Sequence, residues 1–254
     1  MAKKRQRKSG RREQKQAIPQ AQEQAAQNTS RWLWEWAKSI SVAILLFLVI
    51  RTFVVEAFKI PTGSMERTLL VGDWLLVNKA VYGAQVPFTG LRMPAFEEPE
   101  RGDVVVFKYP LDESESYVKR VVGLPGDAVA MRVGELYVNG QRQTEEYVQH
   151  SQPGGDYYDP QFEWQRNYVA PEIDISTYQP TRDDWGPIMV PDGQYFVMGD
   201  NRDNSQDSRY WGFVDRGLIK GRPLFIYYSY DASKLRPFPW LTEVRWSRFG
   251  HLVR

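Results

Sequence analysis

Three short segments carry residue types that could do chemistry. The first is Phe58-Lys59-Ile60-Pro61-Thr62-Gly63-Ser64-Met65. A serine that follows glycine in a proline-fixed turn can be held exposed, with its own N–H free to join an oxyanion site. Taken alone, Gly-Ser after Pro is an ordinary turn. The second is Tyr117-Val118-Lys119-Arg120-Val121-Val122-Gly123-Leu124-Pro125-Gly126-Asp127, where Lys119 sits in an otherwise apolar strand pattern. A strand lysine is ordinarily solvated. Buried, it would lose its proton more readily and could serve as a base near neutral pH. The third is the polar loop Gly199–Gly212, in which Asp200, Arg202, Asp203, Asp207 and Arg209 alternate in charge. It lacks the glycine and terminal glutamate of a calcium loop, and its arginines oppose a cation, so no metal site is expected. A self-paired network fixing a loop under an active site fits these residues better.

Several mechanisms drop out. The chain has no cysteine, which removes thiol nucleophiles, zinc–thiolate sites and disulfides. His150 and His251 have no evident acidic partner, so a Ser–His–Asp triad is not supported. A serine hydrolase built from this sequence needs another base, and lysine is the recognised variant.

These groups must be positioned by the surrounding elements. Of the 254 residues, 9 are Trp, 14 Tyr and 12 Phe, beside 19 Gly and 16 Pro, a mixture that favours strands and turns. The runs Asp73–Lys79, Gly102–Lys108 and Tyr195–Met198 read as strands, with Gly72-Asp73, Gly102-Asp103 and Pro125-Gly126-Asp127 as turns. Asn139-Gly140 after Glu135–Val138 reads as a hairpin turn. Residues 141–190, rich in Gln, Tyr, Asp and Pro, read as an insertion with no assignable chemistry.

The N-terminal part is different in character. Residues 1–31 carry a charge of about +7 and almost no large apolar side chains, so they read as a disordered tail. The formal net charge of the chain is +2, which leaves the rest acidic overall. A nucleic-acid-binding surface is therefore not expected. From Leu33 to Val55 the chain is long and apolar enough to cross a bilayer, with Trp32, Trp34 and Trp36 where an interfacial belt belongs. Residues 32–56 are expected to form a retained anchor rather than a cleaved signal, because Arg51–Phe58 offers a poor cleavage site. The positive-inside rule keeps the tail cytoplasmic and places the remainder outside. Phe238-Pro239-Trp240-Leu241 and Trp246, near Arg236, Arg245, Arg248 and Arg254, have the character of an interfacial surface.

In order and content, these segments resemble the type I (leader) signal peptidases. The resemblance covers the anchor, Pro61–Glu66, Gly72-Asp73, Lys119–Asp127 and the Gly199–Arg209 loop, which is most of residues 33–130 and 195–230. It implies a mainly β, antiparallel catalytic domain on one transmembrane helix. The domain would be split into residues 57–130 and 193–254 by an insertion at 131–192. It implies Ser64 as nucleophile and Lys119 as general base, with the Thr62 hydroxyl and Ser64 N–H as oxyanion hole. Ser205 would orient the lysine amine, Asp207 would pair with Arg209, and Asp200 and Arg120 would support them. The substrate pockets would draw on Phe58, Ile60, Met65, Leu69, Leu75, Tyr117 and Val118.

Many family members have serine at the position of Thr62, and a well-known bacterial form has two anchors where this chain shows one. The implied activity is signal-peptide removal at the cell membrane without a cofactor. Its partners would be preproteins, membrane lipid and the secretion translocon. Two other readings stay open: a specialised Ser–Lys processing peptidase for pilin, conjugation or organellar precursors, and an inactive anchored adapter.

Overall fold

A computed structural model describes residues 31–87, 89–151, 156–234 and 236–254. The basic tail expected at 1–31 lies outside the described residues except for Arg31. The chain divides into two compact units, Met1–Ile50 and Arg51–Arg254. Helix α1, Arg31–Phe53, is 23 residues long and is apolar enough to cross a membrane. Large apolar side chains from Trp32 to Ile50 are exposed along it, which a soluble core helix would not tolerate. The expected anchor ran to residue 56, but the helix ends at Phe53 and Val55 already begins a strand. Hydropathy cannot tell an apolar helix end from an apolar strand start. Here the backbone decides, as Val55 pairs with Asn78 and the Val54 carbonyl accepts from the Lys79 N–H at 2.8 Å.

The second unit is mainly antiparallel β. Its larger sheet holds β1 (Val55–Lys59), β2 (Asp73–Asn78), β3 (Val104–Tyr109), β4 (Asp112–Gly123), β9 (Gln194–Met198), β10 (Val214–Asp215) and β11 (Ile219–Ser229). The seven strands run in the order β1-β2-β11-β3-β4-β9-β10. A four-stranded sheet, β7-β6-β5-β8, is built from β5 (Ala128–Arg132), β6 (Glu135–Val138), β7 (Gln141–Arg142) and β8 (Trp185–Met189). The sequence boundary at 130/131 therefore falls inside β5. The 141–190 segment expected as an insertion holds β7, β8 and a 3-10 turn at Pro160–Asn167.

Local chemistry accounts for these elements. In β2, Asp73, Leu75 and Val77 are buried while Trp74, Leu76 and Asn78 are half-exposed, the period of a strand with one covered face. In β3, Val104–Phe107 are all buried, which requires cover on both faces. The β6–β7 hairpin turns on Asn139 and Gly140, with φ of 52° and 77°, the left-handed pair that a two-residue type I′ turn demands. One apolar core joins the sheets through Val122, Val129, Leu136, Trp185, Ile188, Phe196 and Met198. A second underlies the serine turn and includes Ile60, Met65, Leu69, Leu75, Val106, Val118 and Ile226. Two short helices complete the fold, α2 (Ser208–Trp211) and α3 (Pro239–Thr242).

Candidate active site

Ser64 is placed by the turn that links β1 to β2. The Ile60 N–H donates to the Asp73 carbonyl and the Gly72 N–H to the Ile60 carbonyl, at 2.8 and 3.0 Å, closing the segment as a loop. Met65 and Leu69 anchor it in the core. Lys119 comes from β4, in register with Val105 of β3. Although 55 residues apart in sequence, the two side chains meet: Lys119 Nζ and Ser64 Oγ are 2.7 Å apart. Lys119 is only 4% exposed. Burial disfavours its ammonium and outweighs the attraction of Asp207 and Asp200, while Arg209 pushes the same way as burial. The amine is lowered from 10.5 to about 8.

The polar loop forms the floor. Asn201 donates its N–H to the Ser64 carbonyl at 3.1 Å, and its Nδ2 donates to the Gly63 carbonyl at 3.3 Å. Behind it, Arg209 and Asp207 are wholly buried and joined by Nε–Oδ1 and Nη2–Oδ2 contacts of 2.8 and 2.9 Å. Burial works against the Asp207 charge, but the Arg209 guanidinium overcomes it and holds the carboxyl below its usual range. Asp207 Oδ2 also accepts from the Gly199 N–H at 3.0 Å. A second buried pair, Arg120 and Asp200, is bidentate at 2.8 and 2.7 Å. Gly199 has a steric reason to be glycine. A Cβ there would lie 2.2 Å from Ser205 Oγ and 2.5 Å from the Ser64 carbonyl oxygen.

A cleft of about 540 Å³ opens onto the pair, lined by Phe58, Ile60, Pro61, Thr62, Ser64, Met65, Glu115–Lys119, Asn204 and Gln206. Among the described residues, neither the Ser64 N–H nor the Thr62 hydroxyl has a hydrogen-bond partner, so both donors are free at this cleft.

Three expectations need correction. Leu69 and Leu75 do not line the cleft; both are fully buried in the core beneath the serine turn. Ser205 is buried, but its hydroxyl makes no hydrogen bond to Lys119 or to any other described group. It packs against the Gly199 backbone, and the amine instead meets Ser64. His150 does have an acidic partner, Asp203 Oδ1 at 3.0 Å, which sequence separation concealed.

The sequence also gave no sign of Thr68, which donates to Asp200 at 2.5 Å, or of Tyr147, whose ring lies 3.8 Å from the Arg120 guanidinium. Both contacts join segments distant in the chain, so neither spacing nor periodicity could reveal them.

The family model for signal peptidase, peptidase S26, matches residues 33–228. The chain belongs to the signal peptidase I family. A signal peptidase I of Pseudomonas aeruginosa is 38% identical over 232 residues, covering 85% of this chain and 80% of its own length. The signal peptidase I of Pseudomonas fluorescens is 39% identical over 230 residues, with the same coverage of 85% and 80%. That of Aquifex aeolicus is 34% identical over 234 residues, covering 76% of this chain and 84% of its own. Membership makes the chain a serine peptidase, a hydrolase. It also agrees with the mainly antiparallel β fold described above.

Proposed function

We propose that this signal peptidase is a membrane-anchored endopeptidase that cuts signal peptides from exported preproteins, with Ser64 as nucleophile and Lys119 as general base. The observation that carries the proposal is the 2.7 Å contact between a buried amine, which burial makes easier to deprotonate, and a serine hydroxyl at the edge of an apolar cleft.

In the attacking state the neutral Lys119 amine accepts the Ser64 proton as Oγ bonds to the scissile carbonyl carbon. The negative charge that develops on the carbonyl oxygen is met by the Ser64 N–H and the Thr62 hydroxyl. Lys119 returns the proton to the departing amine, leaving an acyl-enzyme on Ser64. It then takes a proton from the water that attacks the acyl carbon and passes it to Ser64 Oγ as that bond breaks, which releases the acid and restores the neutral amine.

Five consecutive residues, Glu115–Lys119, line the cleft. Side chains from both faces of a strand reach one cleft only when it runs along the strand's edge. β4 is paired with β3 over Ser116–Arg120 and again at Asp112, whereas β9 covers its other edge only from Arg120 onward. The edge at Glu115–Lys119 is therefore open to an extended substrate added as a strand.

Helix α1 would hold the enzyme in the cell membrane with its N-terminus cytoplasmic and the second unit outside. Phe238, Trp240, Leu241 and Trp246 are 54% to 75% exposed and supply apolar surface for lipid. Incubating detergent-solubilised full-length protein with a labelled preprotein, beside Ser64→Ala, tests the reading. Cleavage at the signal junction by the wild type alone is expected; equal processing by both proteins would overturn it.

A further inference from the structure

The open edge of β4 is not uniform in character. At the Lys119 end the cleft is apolar, walled by Ile60, Met65 and Val118. At the other end stands Glu115, an exposed carboxylate. The neighbouring charges are already matched. Glu113 meets Lys108 at 3.0 Å, and Lys220 meets Glu56 at 2.8 Å while also reaching Ser116 Oγ at 3.4 Å. Glu115 has no cationic partner among the described residues. Close to it are Tyr109 and Tyr117, whose hydroxyls are raised in pKa by burial and then by the Glu115 charge. Tyr117 and Lys119 share one face of β4, with Lys119 Nζ 5.6 Å from the Tyr117 ring centre, and Glu115 stands just beyond them where the β3–β4 register shifts. The carboxylate therefore stands four residues along β4 from the base, a span of at most about 13 Å.

From this placement we propose that Glu115 is a specificity-determining residue, selecting a basic side chain at the fifth residue before the cut. The inference rests on the proposed processing reaction. Only the segment before the cut is common to all preproteins, so the long open edge should hold that segment. The residue whose carbonyl is attacked lies beside Ser64 and Lys119. With the substrate parallel to β4, the residue four positions earlier reaches Glu115. A lysine or arginine there gains an ion pair, and an acidic residue meets repulsion. Because the carboxylate faces solvent, the effect on kcat/KM should be roughly two- to fivefold for each charge and should shrink as salt screens it.

The test uses full-length enzyme in detergent and a peptide spanning a signal-peptide junction. Alanine, lysine or glutamate is placed at the fifth residue before the cut or, separately, at the fourth after it. The wild type should prefer lysine over glutamate at the earlier position by about four- to twenty-fivefold at low salt. Within each enzyme the lysine-to-glutamate ratio should fall to about one in Glu115→Gln and invert in Glu115→Lys. Efficient cleavage of the alanine peptide with no charge preference at the earlier position would overturn the inference while leaving the processing reaction intact. A preference confined to the later position would overturn it equally, by reversing the strand direction. Failure to cleave the alanine peptide at all would instead overturn the processing reading, and this inference with it.

Discussion

Lys119→Met separates the energetic cost of the buried amine from its chemistry. Methionine has nearly the length of the lysine stem and no charge, so it can occupy the same space with little strain. In the wild type the amine is lowered from 10.5 to about 8 by burial. Below pH 8 it is protonated in both the folded and the unfolded chain, and the folded state bears the full penalty. That penalty is about 3 kcal/mol at 1.36 kcal/mol per pKa unit. Between pH 8 and 10.5 the unfolded chain holds a proton that the folded chain has released, so wild-type stability rises with pH. Above 10.5 both are neutral and the penalty is gone. The inactive methionine variant should therefore be more stable than the wild type at pH 7. Its advantage should narrow by about 2 kcal/mol at pH 9.5. Urea unfolding of both proteins in the same detergent, followed by tryptophan fluorescence, measures the difference directly. A stability difference that does not change between pH 7 and pH 9.5 would refute the claim that burial makes the amine lose its proton more readily in the fold.

Thr62→Val should lower turnover about a hundredfold with little change in KM, while Thr62→Ser stays active; equal turnover of Thr62→Val and wild type removes the hydroxyl from the oxyanion site. Asp207→Asn leaves Arg209 as an uncompensated buried cation and should cost about 3 kcal/mol or more in unfolding free energy. Denaturant titration checks it, and a cost under about 1 kcal/mol would contradict the buried pair. Ser64→Ala, Lys119→Arg and their double variant should share one residual rate in a preprotein assay, because the two side chains act as a unit and guanidinium stays protonated.

The sequence made the strands and turns legible where local rules operate. Asn139-Gly140 specified its hairpin, and the polar loop's alternating acids and bases pointed to the self-pairing seen in Asp207–Arg209, whereas Asp200 and Arg202 pair outside the loop, with Arg120 and Glu145. Ser64 and Lys119 stood out as candidates because one lies in a constrained turn and the other in an apolar strand. Their meeting depends on the packing of β4 beside the β1–β2 turn, which no local pattern contains.

The same limit explains the corrections. Leu69 and Leu75 look alike as pocket or core residues until burial separates them. Ser205 has the residue type and loop position to orient the lysine, but its buried hydroxyl makes no hydrogen bond to it, a matter of packing that local sequence does not contain. Val54 and Val55 extend the apolar run of the helix by composition, yet their β-branched side chains suit the strand pairing that claims Val55.

The central claim is that a serine is activated by a lysine whose proton is easily lost, and the pH dependence of kcat/KM tests it most directly. With the amine at about 8, roughly one hundredth of the enzyme carries a neutral base at pH 6, and half of it does at pH 8. Preprotein cleavage by the full-length enzyme should therefore rise about fiftyfold between pH 6 and pH 8 and level off above pH 9. A rate unchanged across pH 6 to 8 would contradict the account.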